Sequence, residues 1–189
     1  MLHHERVPTS GPVILAPNHV SFADPPAVGC ACKRPLRFMA QAELFRPPNF
    51  RSIIRALGSF PVRRGEAGTA AIPKAIEILE AGGAVLVFPE GRRGDGKTLL
   101  PANKGVTLLA SKSGAKIVPV GIAGTLKRLP KGAKLPKICK VTVCFGEPFT
   151  FQELEQVHGR EKAKSEFPIV LMQKITDLLA EAGQPTTLG

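Results

Sequence analysis

The stretch TAAIPKAIEILEAGGAVLVF, residues 69–88, decides the fold class. Ile72, Ala75, Ile76 and Leu79 stand at i, i+3, i+4 and i+7, one apolar stripe along a helix, which predicts a helix over Thr69–Ala81. Gly82 and Gly83 stop it, because glycine adopts the left-handed turn that closes a helix. AVLVF, residues 84–88, follows with no polar alternation. Such a run fits a central strand covered on both faces, as in a parallel sheet.

The same alternation continues in both directions. Upstream, PVILAPN (12–18) reads as a short buried strand, Pro25 to about Lys33 as a helix, and LRFMAQ (36–41) as a strand. Residues 50–57 read as a short helix stopped by Gly58, and SFPV (59–62) as a strand. Downstream come a helix over Lys104–Ser113 closed by Gly114, and strands KIVPVGIA (116–123) and KVTVCF (140–145). The segment 151–182 is expected to be helical, with Phe167, Val170, Leu171, Ile175, Leu178 and Leu179 on one face. The expectation is a single α/β domain over residues 1–189, a mixed, largely parallel sheet flanked by helices. Ligands of such sheets gather beyond the carboxyl ends of the strands.

Composition narrows the partners. Lys plus Arg number 26 against 15 acids, a formal net charge of +11, which attracts anionic membranes, phosphorylated ligands or nucleic acid. The aromatics are all Phe, which argues against a base-stacking nucleic-acid platform. No apolar run approaches the ~18–20 residues that span a bilayer, and MLHHERVPTSGP lacks a signal-peptide core. The expected location is peripheral, on the cytoplasmic side of a membrane. Cys30, Cys32, Cys139 and Cys144 lack zinc-ribbon spacing and are read as reduced thiols. His3 and His4 beside Glu5 have ligand chemistry, but a chain terminus is expected to be untied.

Three polar motifs follow predicted strands. NHVSFADPP (18–26) places His19 and Asp24 five positions apart. An imidazole with an ordinary pKa of about 6.5 serves as a general base, and a carboxylate on its other nitrogen fixes the tautomer. Asp24-Pro25 equally fits a helix N-cap with proline at the first position, and one carboxylate could do both. GSFPVRRG (58–65) ends a strand in Arg63 and Arg64, whose planar guanidinium suits a phosphate; a solvated basic loop fits as well. FPEGRRGDGKT (88–98) puts Glu90, Gly91, Arg92 and Arg93 after the central strand, where Pro-Glu-Gly also fits a plain turn. Residues 91–98 match the P-loop pattern G-x4-G-K-[ST], but a P-loop opens a helix at the lysine, and Pro101 opposes one there.

Taken in order, these blocks resemble the glycerolipid acyltransferase family, especially its 1-acylglycerol-3-phosphate (lysophosphatidic acid) acyltransferases. NHVSFADPP resembles the family's Asn-His-x4-Asp, GSFPVRRG its Gly-x-Phe-Pro-Val-x-Arg-Gly, and FPEGRRG its Phe-Pro-Glu-Gly-Thr-Arg. Lys104-Gly105 and Val118-Pro119-Val120 resemble two later blocks, so the likeness covers residues 11–148. Arg92 stands where the family usually has Thr, and Arg63 where Asp is common; both add positive charge. The chain begins 17 residues before the first block, where many relatives carry an added helical region that bears on membrane docking.

The resemblance implies a glycerol-3-phosphate acyltransferase-like fold and a reaction. An acyl group passes from acyl-carrier protein or acyl-CoA, a co-substrate rather than a cofactor, to the sn-2 hydroxyl of the lysolipid, giving phosphatidic acid. His19 would take the hydroxyl proton and Asp24 would orient His19. Arg64 and Arg93 would hold the acceptor phosphate, Glu90 and Gly91 would shape the acceptor site, and Lys104 would assist electrostatically. No metal is implied. The expected partners are lysophospholipid and acyl-thioester substrates, acyl-carrier protein and an anionic membrane surface, without nucleic acid. Residues 127–140, with six cations and no acid, could meet anionic headgroups or be a solvated loop. Two other readings stand beside this one. One is an acyltransferase acting on glycerol-3-phosphate or another lysolipid; the other is a non-enzymatic anion- or nucleic-acid-binding module.

Overall fold

A computed structural model describes residues 1–46, 51–52, 54, 58–62, 71–128 and 139–189. The strands are β1 (Val13–Pro17), β2 (Leu36–Gln41), β3 (Ser59–Val62), β4 (Ala84–Leu86), β5 (Thr98–Leu99), β6 (Lys116–Ala123), β7 (Thr142–Phe145) and β8 (Thr187–Leu188). The helices are α1 (Asp24–Ala31), α2 (Ala71–Glu80), α3 (Lys104–Ser113), α4 (Thr125–Arg128), α5 (Phe151–His158) and α6 (Arg160–Glu181). Six strands form one sheet in the order β3-β2-β4-β1-β6-β7. All neighbours run parallel except β7, which lies antiparallel to β6.

Each central strand feeds both sides of the sheet, as the two-residue period of a strand requires. Ile14, Ala16, Val85 and Val87 enter one core with α2, α3, α5 and α6. Val13, Leu15, Ala84 and Leu86 enter the other, with Val28 and Ala31 of α1. On α2, Ile72, Ala75 and Leu79 are buried. Two bonds then close that helix: the Gly82 N–H donates to the Leu79 carbonyl at 2.8 Å and the Gly83 N–H to Ile78 at 2.9 Å. This is the Schellman pattern, and Gly82 supplies its left-handed φ of 76°.

The structure departs from the expected elements in a few places. β4 stops at Leu86, although the Val87 N–H still donates to the Leu15 carbonyl at 2.9 Å; beyond it Pro89 has no N–H to offer. Segment 151–182 divides into α5 and α6 at Gly159, whose φ is 77°. Thr150 and Glu153 form a capping box that starts α5. The face carrying Phe167, Leu171, Ile175 and Leu179 packs on the domain. β5 pairs with β8 in a separate two-stranded sheet that no periodicity announced. The amino terminus is tied down: the Leu2 N–H donates to Val143 at 2.9 Å, and the Phe145 N–H donates to Leu2 at 3.1 Å. Of the expected 50–57 helix, residues 51, 52 and 54 are helical and the rest lie outside the described residues. Among the described residues, no helix is long and apolar enough to cross a membrane.

Candidate active site

β1 ends at Pro17, and the next residue carries the strand's work across to β6. The Asn18 side chain accepts the Ile122 N–H at 2.7 Å and donates to the Ile122 carbonyl at 3.1 Å. This buried amide acts as an extra rung of the sheet. The following residue, His19, therefore leaves the sheet from a fixed point at its carboxyl edge.

His19 Nδ1 lies 2.8 Å from Asp24 Oδ2. The same oxygen accepts the N–H groups of Val20 and Ser21, each at 2.7 Å. Asp24 is fully buried, whereas the His19 side chain keeps 17% of its surface. The sequence allowed Asp24 to be an N-cap. Instead it is the first residue of α1, with Ala23 at the cap position and Pro25 second, and its carboxylate reaches back into the loop. Capping does not fix this residue; holding the imidazole and two amides does.

The His19 ring stacks on Phe88, with centroids 3.8 Å apart and planes 20° from parallel. One ring face and one ring nitrogen are thus occupied. With the Nδ1 proton given to the carboxylate, the neutral ring carries its basic lone pair on Nε2.

Glu90 is 6% exposed and faces the backbone. Its Oε1 accepts the His19 N–H at 2.7 Å and its Oε2 the Leu100 N–H at 3.0 Å. Burial pushes this carboxyl above the ordinary glutamate range, while the two amide bonds pull it back. Glu90 thus ties the His19 loop to the segment before α3. The Gly94 N–H, donating to the His19 carbonyl at 2.7 Å, clasps the loop from the same segment.

Gly91 has φ of 67°, and a Cβ there would sit 2.5 Å from Asn103 Nδ2. Asn103 caps α3 by accepting the Gly105 N–H at 2.8 Å, and its own N–H donates to Pro89 at 2.9 Å. The glycine therefore lets α3 begin against the turn after β4. Lys104, the first residue of α3, is exposed there. Arg93 is exposed as well, and its guanidinium lies 3.8 Å over the Phe22 ring. Phe22, 56% exposed, belongs to the loop between His19 and Asp24. Arg64 and Arg63 lie outside the described residues. The P-loop pattern at 91–98 fails its structural test: Thr98 opens the short strand β5, and the next helix starts only at Lys104.

The structure therefore joins His19, Asp24 and Glu90 directly, brings Arg93 in through Phe22, and sets Gly91 beside the start of α3. Three contributors escaped the sequence reading. Asn18 and Phe88 lay within quoted blocks but read as loop and strand residues. Phe22 fell among unspecified positions.

A family model described as Acyltransferase matches residues 2–123. The 1-acyl-sn-glycerol-3-phosphate acyltransferase of Bacillus subtilis is 26% identical over 175 residues, 92% of this chain and 84% of that protein. The chloroplastic 1-acyl-sn-glycerol-3-phosphate acyltransferase BAT2 of Brassica napus is 28% identical over 133 residues, 69% of this chain. The chain spans only 38% of that plastid relative. A lyso-ornithine lipid O-acyltransferase of Pseudomonas aeruginosa is 30% identical over 113 residues, 59% of this chain and 43% of that protein. Among solved structures, the 1-acyl-sn-glycerophosphate (LPA) acyltransferase PlsC of Thermotoga maritima superposes with a TM-score of 0.78 at 29% identity. That match covers 95% of this chain and 70% of the other.

Proposed function

Because the chain belongs to the Acyltransferase family, we propose that it moves a fatty acyl group from an acyl thioester to the sn-2 hydroxyl of 1-acylglycerol-3-phosphate, giving phosphatidic acid. The observation that carries this reading is the His19 ring, held through Nδ1 by buried Asp24 while part of its surface stays open. His19 Nε2 takes the acceptor hydroxyl proton as the oxygen attacks the thioester carbonyl carbon. The tetrahedral intermediate then expels the thiolate, which receives that proton from the imidazolium. Asp24 stabilises the imidazolium between these steps.

Arg93 holds the acceptor phosphate, with Arg64 as its partner and Lys104 adding long-range attraction. Glu90 acts through the enzyme's own backbone: each of its oxygens accepts an amide, so it shapes the acceptor site by setting the His19 loop. The donor is acyl-carrier protein or acyl-CoA, both anionic and suited to the net charge of +11. The enzyme works on the cytoplasmic face of an anionic membrane, where exposed Phe22, Lys127 and Lys140 meet the surface.

The test is a purified assay with lysophosphatidic acid and each donor in turn. His19→Ala is expected to lower turnover by ~10²–10⁴-fold. Turnover within about tenfold of wild type would remove His19 as the base. A second reading, acylation of an aminolipid acceptor, is favoured by the resemblance to the lyso-ornithine lipid enzyme. Preference for lyso-ornithine lipid over lysophosphatidic acid in the same assay would select it.

A further inference from the structure

His3 takes no part in the proposed reaction, yet the fold gives it partners from two distant elements. Among the described residues, ligand-type atoms of His3, Cys144 and Glu181 all lie within 4.8 Å of one another. His3 Nε2 stands 2.5 Å from Glu181 Oε1. On the other side of the ring, His3 Nδ1 faces Glu5 Oε1 at 3.6 Å. Cys144 lies fully buried within β7, and Glu181 is the last residue of α6.

The backbone holds this junction from two sides. Leu2 is bonded to Val143 and Phe145, the neighbours of Cys144. Arg6 donates to the Phe145 carbonyl at 3.2 Å and pairs with Glu147 at 2.8 Å. Between these anchors His3 adopts φ 56° and ψ 35°, the only positive φ at a non-glycine position among the described residues. A side chain rarely takes that conformation, and here the two flanking anchors enforce it.

We propose that His3, Cys144 and Glu181 ligate a divalent cation of the zinc class. One imidazole nitrogen, one thiolate sulfur and one carboxylate oxygen make a borderline donor set that suits zinc; magnesium and calcium prefer all-oxygen ligands. Two donors at zinc distances stand ~3.3–3.6 Å apart in a tetrahedron, so side-chain adjustments within the observed 4.8 Å span complete the site. Charge balances as well: a thiolate and a carboxylate neutralise the cation, which suits a half-buried position.

On binding, the Cys144 S–H bond breaks, its proton passes to solvent, and the sulfur lone pair forms the bond to the metal. Glu5, whose Oε1 lies 3.6 Å from His3 Nδ1, would accept that nitrogen's proton after a small side-chain shift and so orient the ring. The cation would pin the amino terminus to edge strand β7 and to the end of α6. Cys144 pairs in register with Gly121, one residue before the Ile122 peptide that holds Asn18.

The experiment uses the purified full chain freed of any affinity tag. The protein is dialysed against zinc, desalted and submitted to elemental analysis; a parallel sample is loaded with cobalt(II). Wild type is expected to retain stoichiometric zinc, gain thermal stability from it, and show a near-ultraviolet thiolate-to-cobalt charge-transfer band. His3→Ala alters a partly exposed residue, so it is expected to keep the fold while weakening retention more than ~10-fold. Cys144→Ala should abolish the cobalt–thiolate band. A wild type that retains no zinc overturns the proposal, as does a cobalt spectrum without the thiolate band. Equal retention by wild type and His3→Ala overturns it too, leaving His3 and Glu181 as an ordinary ion pair.

Discussion

Asp24 Oδ2 lies 2.8 Å from His19 Nδ1, and this one oxygen also receives the amides of Val20 and Ser21. Orientation of the imidazole and closure of its loop therefore depend on one atom. The two roles separate by substitution. Asp24→Asn keeps an oxygen acceptor but loses the charge that stabilises an imidazolium, so kcat is expected to fall ~10²–10⁴-fold. Asp24→Ala leaves two buried amides without their acceptor, at about 1–3 kcal/mol each. Chemical denaturation should thus show a larger stability loss for Ala than for Asn. Equal losses would mean that the Val20 and Ser21 bonds contribute little.

Glu90 gives a test through stability and its pH dependence. Glu90→Gln keeps one acceptor oxygen and turns an N–H₂ group toward the second amide, so one of the two bonds is lost, at about 1–3 kcal/mol. The pH dependence has a definite sign. Burial raises the Glu90 pKa in the folded state above its unfolded value, so the folded protein binds this proton more tightly. The stability contributed by that proton is complete below the unfolded value and is lost as pH rises through the folded one. Wild type should therefore gain stability over Glu90→Gln on acidification through the window just above the ordinary glutamate range. Parallel stability–pH curves for the two proteins would refute the buried position of this carboxyl.

Asn18 extends β1 by one rung, and Asn18→Ala would strip the Ile122 N–H and carbonyl of their partners. The expected cost is about 1–3 kcal/mol for each buried group left unpaired. Hydrogen exchange at the Ile122 amide should quicken, and kcat should drop because His19 follows directly on that anchor. Unchanged exchange at Ile122 would exclude the bridging role.

The sheet was legible because the central strands are apolar on both faces. VILAP, AVL and KIVPVGIA can satisfy their side chains only between two helical layers, and they emerge as β1, β4 and β6. The stripe on α2 and the glycines that end it were equally direct. What escaped depends on contacts between distant segments. β5 and β8 are two residues each, too short for any period, and Thr98 pairs with Thr187 from the far end of the sequence. The spacing within NHVSFADPP placed His19 and Asp24 at a candidate site, but could not choose between a cap and an orienter, since both need a carboxylate before a helix. The resemblance gave Glu90 a part in shaping the acceptor site; that its carboxylate accepts the amides of His19 and Leu100 is a contact between distant segments that no local pattern announces.

The Arg93 guanidinium over Phe22 at 3.8 Å links the cationic loop after β4 to the loop between His19 and Asp24. A planar guanidinium can stack on a ring and still present its edge to a phosphate, whereas an ammonium offers no such plane. Arg93→Lys retains the charge, so a purely electrostatic role predicts near-normal binding. A stacked, phosphate-facing role predicts instead that the KM for lysophosphatidic acid rises several-fold, with kcat less affected. Phe22→Leu should reproduce that rise, because it removes the platform and leaves the arginine. Ordinary kinetics on the two variants decides the matter: a raised KM for Arg93→Lys alone would free Phe22 of any part in holding the guanidinium, and no rise in either would take Arg93 out of the acceptor site.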